Sequence, residues 1–332
     1  MDGAGTGTVG EPGDPTDPGH GGRRAIAAAF LANLGIAAAK FVGFLVTGAA
    51  SMLAEAIHSV ADTANQALLM LGRARGGRHP DADHPLGYGR ERYFWAFVVA
   101  LVLFTGGAVF AVVEGEEKLR RPHEVESPGW ALAILGVAFV LEGLSLRTAA
   151  RESRRTRQGR TWWRFIRQSK SPDLPVVLLE DSGALLGLLF ATAGIVMAEV
   201  TGDARFDALG SLAIGVLLAA IAVTLAVETK SLLIGESADP RDVVAICEVI
   251  ERHPDVERVV DLRTEHLGPE QLLVVGRVRL SGAEQPADVL AAVASDLRSE
   301  VPGIAFSFLE PVAAAPEEGP PRRGRHRRGV QG

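Results

Sequence analysis

One cysteine, Cys247, is all this chain of 332 residues has. That excludes an internal disulfide and any cysteine-rich metal cluster. No glycine loop of the phosphate-binding kind ending in lysine is present, and no nucleotide signature. The polar last third shows no nucleophile–base arrangement, so the chain is not expected to be an enzyme. Lysine is scarce beside arginine, while alanine and glycine abound, a composition of GC-rich bacterial genomes that carries no mechanism. The first 24 residues, rich in Gly, Pro and Asp, have no apolar run behind a basic start. They read as a disordered tail and not a signal peptide. The basic end, "APEEGPPRRGRHRRGVQG", reads as a second solvated tail, with anionic lipid headgroups as its other reading. The net charge of −6 decides little, because the charges are clustered.

What the first two thirds does have is long runs of Ala, Leu, Val and Gly. A membrane span needs about 20 mostly apolar residues. Six stretches qualify: 25–48, 51–72, 93–113, 130–146, 174–198 and 206–227. Spans one and two are separated only by a tight turn at Ala49–Ala50, so they are expected to pack antiparallel. Arginines cluster before span one, between spans two and three, and at 151–170. The positive-inside rule then places those loops and both termini in the cytoplasm. Lys118, Arg120 and Arg121 weaken the contrast on the other side. The loop "RESRRTRQGRTWWRFIRQSK" uses residue types that also read nucleic acid. Its place between two spans favours the membrane interface instead, so no nucleic-acid partner is expected.

After Val227 the pattern becomes that of a soluble protein. "DPRDVVAICEVIERHP" has a helical apolar period. "VERVVDLRTEH" and "QLLVVGRVRL" read as strands around a Gly268–Pro269 turn. "ADVLAAVASDLRSEV" is a second amphipathic helix and "IAFSFLEP" a last strand. The order α-β-β-α-β describes a small two-layer domain. The uncovered side of its sheet makes dimerisation plausible. Residues 1–22 and 313–332 are therefore read as tails, 23–229 as the membrane domain, 230–238 as a linker and 239–312 as the soluble domain.

The chemistry lies inside span two, "SMLAEAIHSVADTANQALLMLG". His58 and Asp62 are four residues apart and share one helix face. Glu55 and Asn65 fall near the same stripe. An acidic residue at a helix centre costs about 2.5–3.5 kcal/mol on insertion scales, so this face needs partners or water. Span five offers Glu180 and Asp181, which as helix neighbours point about 100° apart. Span one offers Asn33 and Lys40, span four Glu142, and span six Asp207. One imidazole facing several carboxylates suits a first-row divalent metal. A proton relay uses the same residue types and is the rival reading.

These residues resemble the cation diffusion facilitators, a family of divalent-metal exporters, and most of all the branch that includes zinc transporter 9. "AEAIHSVADTANQALL", "HPLGYGRERYFWAF", "VLLEDSGALLG", "FDALGSLAIGVLLA" and "SLLIGESADP" carry the resemblance. It implies an α-helical polytopic membrane protein of six spans with a C-terminal α+β, ferredoxin-like cytoplasmic domain, working as a homodimer in the lipid bilayer. It implies His58 and Asp62 as metal ligands, with Asp181 on span five. Val177 stands where the family usually has the other span-five ligand, and Glu180 is the substitute. Glu55, Asn65 and Glu142 are alternatives. A weak loop site would use Asp81 and His84, with Tyr88 in place of a second histidine.

In the soluble domain Val260 and Phe308 replace expected ligands, His253, His266 and Glu310 are expected at the surface, and Cys247 in the core. The implied function is proton-coupled efflux of Zn²⁺ from the cytoplasm by alternating access. Mn²⁺, Fe²⁺, Co²⁺ and Cd²⁺ are other possible substrates, and no tightly bound cofactor is implied. A non-transporting metal sensor or scaffold is the alternative. The expected location is the inner (plasma) membrane of a bacterium, as a multi-pass protein.

Overall fold

The computed structural model describes residues 34–312, except 123, 126, 158, 283 and 284. The two tails, Asn33 and the first part of span one lie outside the described residues. Helix α1 (Leu34–Thr47) leads through Gly48 and Ala49 into α2 (Ala50–Gly76). Gly48 has φ 61°, a left-handed conformation that glycine adopts without a Cβ clash. Its N–H bonds to the Phe44 carbonyl at 2.7 Å, which closes α1. The turn is thus one residue earlier than the sequence suggests, and the antiparallel pair follows from it.

Next come α3 (Glu91–Arg120), α4 (Pro128–Thr156), the short α5 (Trp162–Gln168), α6 (Asp173–Thr201) and α7 (Arg205–Ile234). Helices α3, α4, α6 and α7 are long and apolar enough to cross a membrane. Helix α2 has 27 residues, about 40 Å at 1.5 Å per residue, and is kept out of that class by its polar stripe. Within α3 the stretch Leu103–Val109 widens to a π-helix around Gly106 and Gly107, weak helix formers. The basic segment read as a loop at 151–170 is partly helical: α4 runs on through Thr156. Helix α5 begins where Thr161 Oγ1 accepts from the Arg164 N–H at 3.3 Å.

Helices α6 and α7 approach backbone to backbone. A Cβ at Gly210 would lie 2.9 Å from the Phe190 carbonyl oxygen, and one at Gly194 would lie 3.0 Å from that of Phe206. Small residues at such crossings let two spans pack where lipid supplies no hydrophobic drive.

Charges fix both ends of the bundle. At the end remote from the soluble domain, Asp207 of α7 is fully buried. It accepts from the Ala50 N–H at 2.8 Å and from the Ser51 hydroxyl, and pairs with Lys118 Nζ at 2.7 Å. A carboxylate 157 positions away thus caps the start of α2. Lys118 is a buried partner, 1% exposed, and not a loop charge. That corrects its counting against the charge asymmetry of the loops. At the other end Asp173 takes Arg73 Nε at 3.0 Å and also pairs with Arg92.

The soluble part is α8 (Pro240–Glu251), β1 (Val256–Gly268), β2 (Gln271–Leu280), α9 (Pro286–Glu300) and β3 (Ile304–Val312). The sheet order is β1-β2-β3, with β1–β2 antiparallel and β2–β3 parallel. Ile246 and Ile250 of α8 pack with Val274 and Val278 of β2 and Val293 and Leu297 of α9. On the sheet's other side Val275 and Phe308 stay exposed. The architecture is the helical membrane protein with a small α+β domain that the sequence describes.

Removing one member of a buried ion pair leaves the other charge unpaired, at a cost of about 3–5 kcal/mol. Lys118→Met is therefore expected to lower the thermal unfolding temperature in detergent, and Lys118→Met/Asp207→Asn to recover part of the loss. Equal unfolding temperatures in wild type and Lys118→Met would contradict this account of the latch.

Candidate metal centre

In the polar stripe of α2, which faces α1, α4 and α6, Glu55, His58 and Asn65 are buried and Asp62 is half-buried, its side chain 13% exposed. His58 has no solvent exposure, and neither ring nitrogen has a hydrogen-bond partner among the described residues. Its Nδ1 lies 3.5 Å from Asp62 Oδ1, a pair set by the i, i+4 spacing. That Asp62 oxygen is also buried without a hydrogen bond. Glu180 and Asp181 of α6 and Glu142 of α4 are further buried carboxylates. Nearly all buried polar atoms in proteins are satisfied. Here unpartnered donors and acceptors share one face, with the carboxylates of Glu180 and Asp181 on the helix opposite.

The neighbouring carboxylates of α6 divide as the 100° step predicts. Glu180 Oε1 accepts from Asn65 Nδ2 of α2 at 2.7 Å, whereas Asp181 Oδ2 accepts from Ser145 Oγ of α4 at 3.0 Å. Both are buried, 4% and 7% exposed. Val177 packs against the apolar core and offers no donor. Among the described residues no three of His, Cys, Asp and Glu are gathered closely enough to hold an ion as they stand. The structure therefore brings His58 and Asp62 together, and holds Glu180 and Asp181 on the adjoining face by separate hydrogen bonds.

Asn65 is engaged as a hydrogen-bond donor to Glu180. Glu142 of α4 is 8% exposed and adds a further carboxylate. Glu55 is held by Lys40: Nζ donates to Glu55 Oε2 at 3.0 Å and to Ser59 Oγ at 2.7 Å, with Lys40 and Glu55 both fully buried. Sequence reasoning left this pair unmatched, although a signal was present. Lys40 lies eight residues before Gly48 and Glu55 six after Ala49, so the tight turn sets them at similar depth on adjacent helices.

In the loop, Asp81 is occupied locally. It accepts from the Tyr88 hydroxyl at 2.6 Å and from the backbone N–H groups of His84 and Asp83 at 2.8 and 3.1 Å. The Tyr88 bond first, then the backbone bond from His84, holds the Asp81 carboxyl below its usual range. His84 Nδ1 is 3.6 Å from Asp81, and its ring lies 4.2 Å from the Tyr88 ring. Tyr88 thus closes this turn where a second histidine was sought.

Two expectations for the soluble domain are corrected. His266 is not at the surface: it is 9% exposed, both ring nitrogens lack partners, and its N–H donates to the Glu236 carbonyl at 2.9 Å. The strand carries it under the junction where Lys170 also pairs with Glu236 at 2.6 Å. His253 is half-buried, Glu310 is exposed as expected, and Phe308 is exposed as well. Cys247 is half-buried and not part of the core, and burial, with Glu251 nearby, pushes its thiol up.

The cation efflux transmembrane domain family matches residues 26–234. The chain is 36% identical over 242 residues to the mitochondrial proton-coupled zinc antiporter SLC30A9 of Mus musculus, covering 72% of this chain and 42% of that protein. Its counterpart in Xenopus laevis is 36% identical over 245 residues, covering 73% and 44%. Metal tolerance protein C4 of Arabidopsis thaliana is 30% identical over 262 residues, covering 78% and 57%. The chain thus spans between 42% and 57% of the length of these relatives. None of these names is that of an enzyme. They also correct the expected location. Relatives at 36% identity are mitochondrial proteins of animals, and a bacterial plasma membrane finds no support in them. The arginine asymmetry orients spans relative to a membrane but carries no address that names the membrane.

His266 yields a pH prediction. Burial first, then Lys170, lowers its pKa below 6.5. The unfolded chain therefore binds a proton more readily than the folded one, and stability falls as pH drops below about 6.5. Unfolding temperatures of the full chain at pH 5–8 are expected to show this slope, and His266→Gln to flatten it. An unchanged slope in the variant would contradict the assignment.

Proposed function

We propose a transport function for this chain, which belongs to the cation efflux family, also called the cation diffusion facilitators: it exchanges Zn²⁺ for protons across a membrane by alternating access. His58, Asp62, Asp181 and Glu180 are the proposed ligands. The single observation that supports this most is the buried His58 imidazole, unpartnered among the described residues and facing Asp62, beside the Glu180 and Asp181 carboxylates of α6.

Metal binding requires a neutral imidazole and ionised carboxylates, so ion and protons compete for the same atoms. His58 supplies a nitrogen ligand suited to zinc, and the carboxylates supply oxygens. In this reading Asn65 and Ser145 are positioning residues: each holds one α6 carboxylate by one oxygen. Convergence of α2 and α6 would complete the ligand set, and their separation would release the ion. Exposure of the released site to more protons on the far side would recharge it. Efflux would run from the side that bears the soluble domain. The oxygen-rich set leaves room for Mn²⁺, Fe²⁺, Co²⁺ or Cd²⁺ as further substrates. The names of the animal relatives, proton-coupled zinc antiporters, favour zinc and proton exchange.

The proposal includes a membrane unit at 23–229, joined through 230–238 to the soluble domain at 239–312. It also includes a homodimer, for which the exposed Val275 and Phe308 offer an apolar sheet face.

Two outcomes test it. His58→Ala is expected to abolish zinc uptake into proteoliposomes under a pH gradient; wild-type uptake in that variant would remove His58 from its role. Ser145→Ala, which deprives Asp181 of its hydrogen bond, is expected to weaken zinc binding about 10-fold, as loss of a ligand's orienting partner does. Unchanged affinity by calorimetry would exclude Asp181 as an oriented ligand.

A further inference from the structure

Lys40 and Glu55 form a buried ion pair one helical turn from His58, and nothing in the ligand set just proposed uses it. Glu55 precedes His58 by three residues and so shares its face of α2. Its Oε2 is held by Lys40 at 3.0 Å, and its Oε1 is buried with no hydrogen-bond partner among the described residues. That free oxygen lies against Gly187 of α6, where any Cβ would collide with it. The opposing helix is thus cut away to receive this carboxylate. Lys40 is anchored a second time, by Ser59, which follows His58 directly. Lys40 thus brings a cation to this face of α2 without being among the proposed ligands.

We propose that Lys40 is a specificity-determining residue: by holding Glu55 it keeps a fourth carboxylate out of the metal's ligand set, and so favours zinc over harder cations such as Mn²⁺. This inference rests on the transport reading above. The reasoning is electrostatic and chemical. An ammonium in contact with a carboxylate in a dry interior binds it far more strongly than in water. To join the ligand set Glu55 would have to abandon that contact, leaving a buried ammonium unpaired next to a dication. With Lys40 present, the accessible donors are one imidazole and the carboxylates of α2 and α6. Without it, Oε2 is freed beside Oε1, and Glu55 can turn both oxygens toward the face that carries His58 and Asp62. Carboxylate oxygens suit manganese, whereas imidazole suits zinc. Discrimination here is a difference of two affinities, and removing the restraint raises one of them.

The test is calorimetric titration of the purified full chain with Zn²⁺ and with Mn²⁺, using wild type, Lys40→Arg, Lys40→Met and Lys40→Met/Glu55→Gln. The ratio of the two dissociation constants is the readout, because a general loss of structure weakens both metals together. Lys40→Met is expected to move the ratio toward Mn²⁺ roughly tenfold, since it adds oxygen donors to the set. Lys40→Arg, which keeps the cation, is expected to hold the wild-type ratio, and the double variant to return to it. Should Lys40→Met not fold, Lys40→Gln removes the charge while keeping a donor, and is read in the same way. A Lys40→Met ratio equal to that of wild type, or a double variant that stays shifted, overturns this inference alone. A wild-type chain that binds neither metal overturns the transport reading, and this inference with it.

Discussion

An ionised carboxylate inside a bilayer must find a cation, hydrogen-bond donors or water, and that requirement arranges the membrane part of this protein. Asp207 has Lys118 and the start of α2, Glu55 has Lys40, Glu180 has Asn65, Asp181 has Ser145, and Asp173 has two arginines. Each of these contacts joins two different helices. The polar groups therefore fix which helices meet, while alanine and glycine set how closely they meet. A bundle built from apolar surface alone would have little to choose one packing over another, because lipid tails are as apolar as leucine.

Against that background His58 and Asp62 stand apart. Glu55, Asn65, Glu180 and Asp181 each make at least one side-chain hydrogen bond, whereas among the described residues both His58 nitrogens and one Asp62 oxygen are buried and unpartnered. Such a cost persists where a ligand compensates it. The proposed site then has two kinds of residue, those that touch the ion and those that hold the ligands: Ser145 on Asp181, Asn65 on Glu180, and Lys40 on the competing carboxylate of Glu55. The two ends of the bundle are pinned by ion pairs, so rearrangement for alternating access would have to use the middle of α2 and α6, where the contacts are single hydrogen bonds.

Much of this was legible in the sequence. Apolar run lengths located the four long apolar helices α3, α4, α6 and α7, alternation and turn residues located the strands, and i, i+4 spacing placed His58 against Asp62. The step between adjacent helical residues foretold that Glu180 and Asp181 would point to different neighbours. What escaped were pairings between residues far apart in the chain. Lys118 looks like a loop charge until α7 brings Asp207 to it, 89 positions later. His266 looks like the end of an exposed strand until the linker at Glu236 covers it. Periodicity describes one element at a time, and these contacts belong to two. Span addresses are also invisible to charge counting, which is why the expected bacterial membrane did not survive comparison with relatives.

The most direct test of the central claim records zinc and proton movement together, in proteoliposomes holding the wild-type chain with a metal-sensitive dye and a pH dye inside. The account predicts that zinc entering the lumen is accompanied by protons leaving it, and that a proton gradient alone drives zinc uphill. Tight zinc binding with no movement of zinc, manganese, iron, cobalt or cadmium would contradict it and leave a metal-binding membrane protein that does not transport.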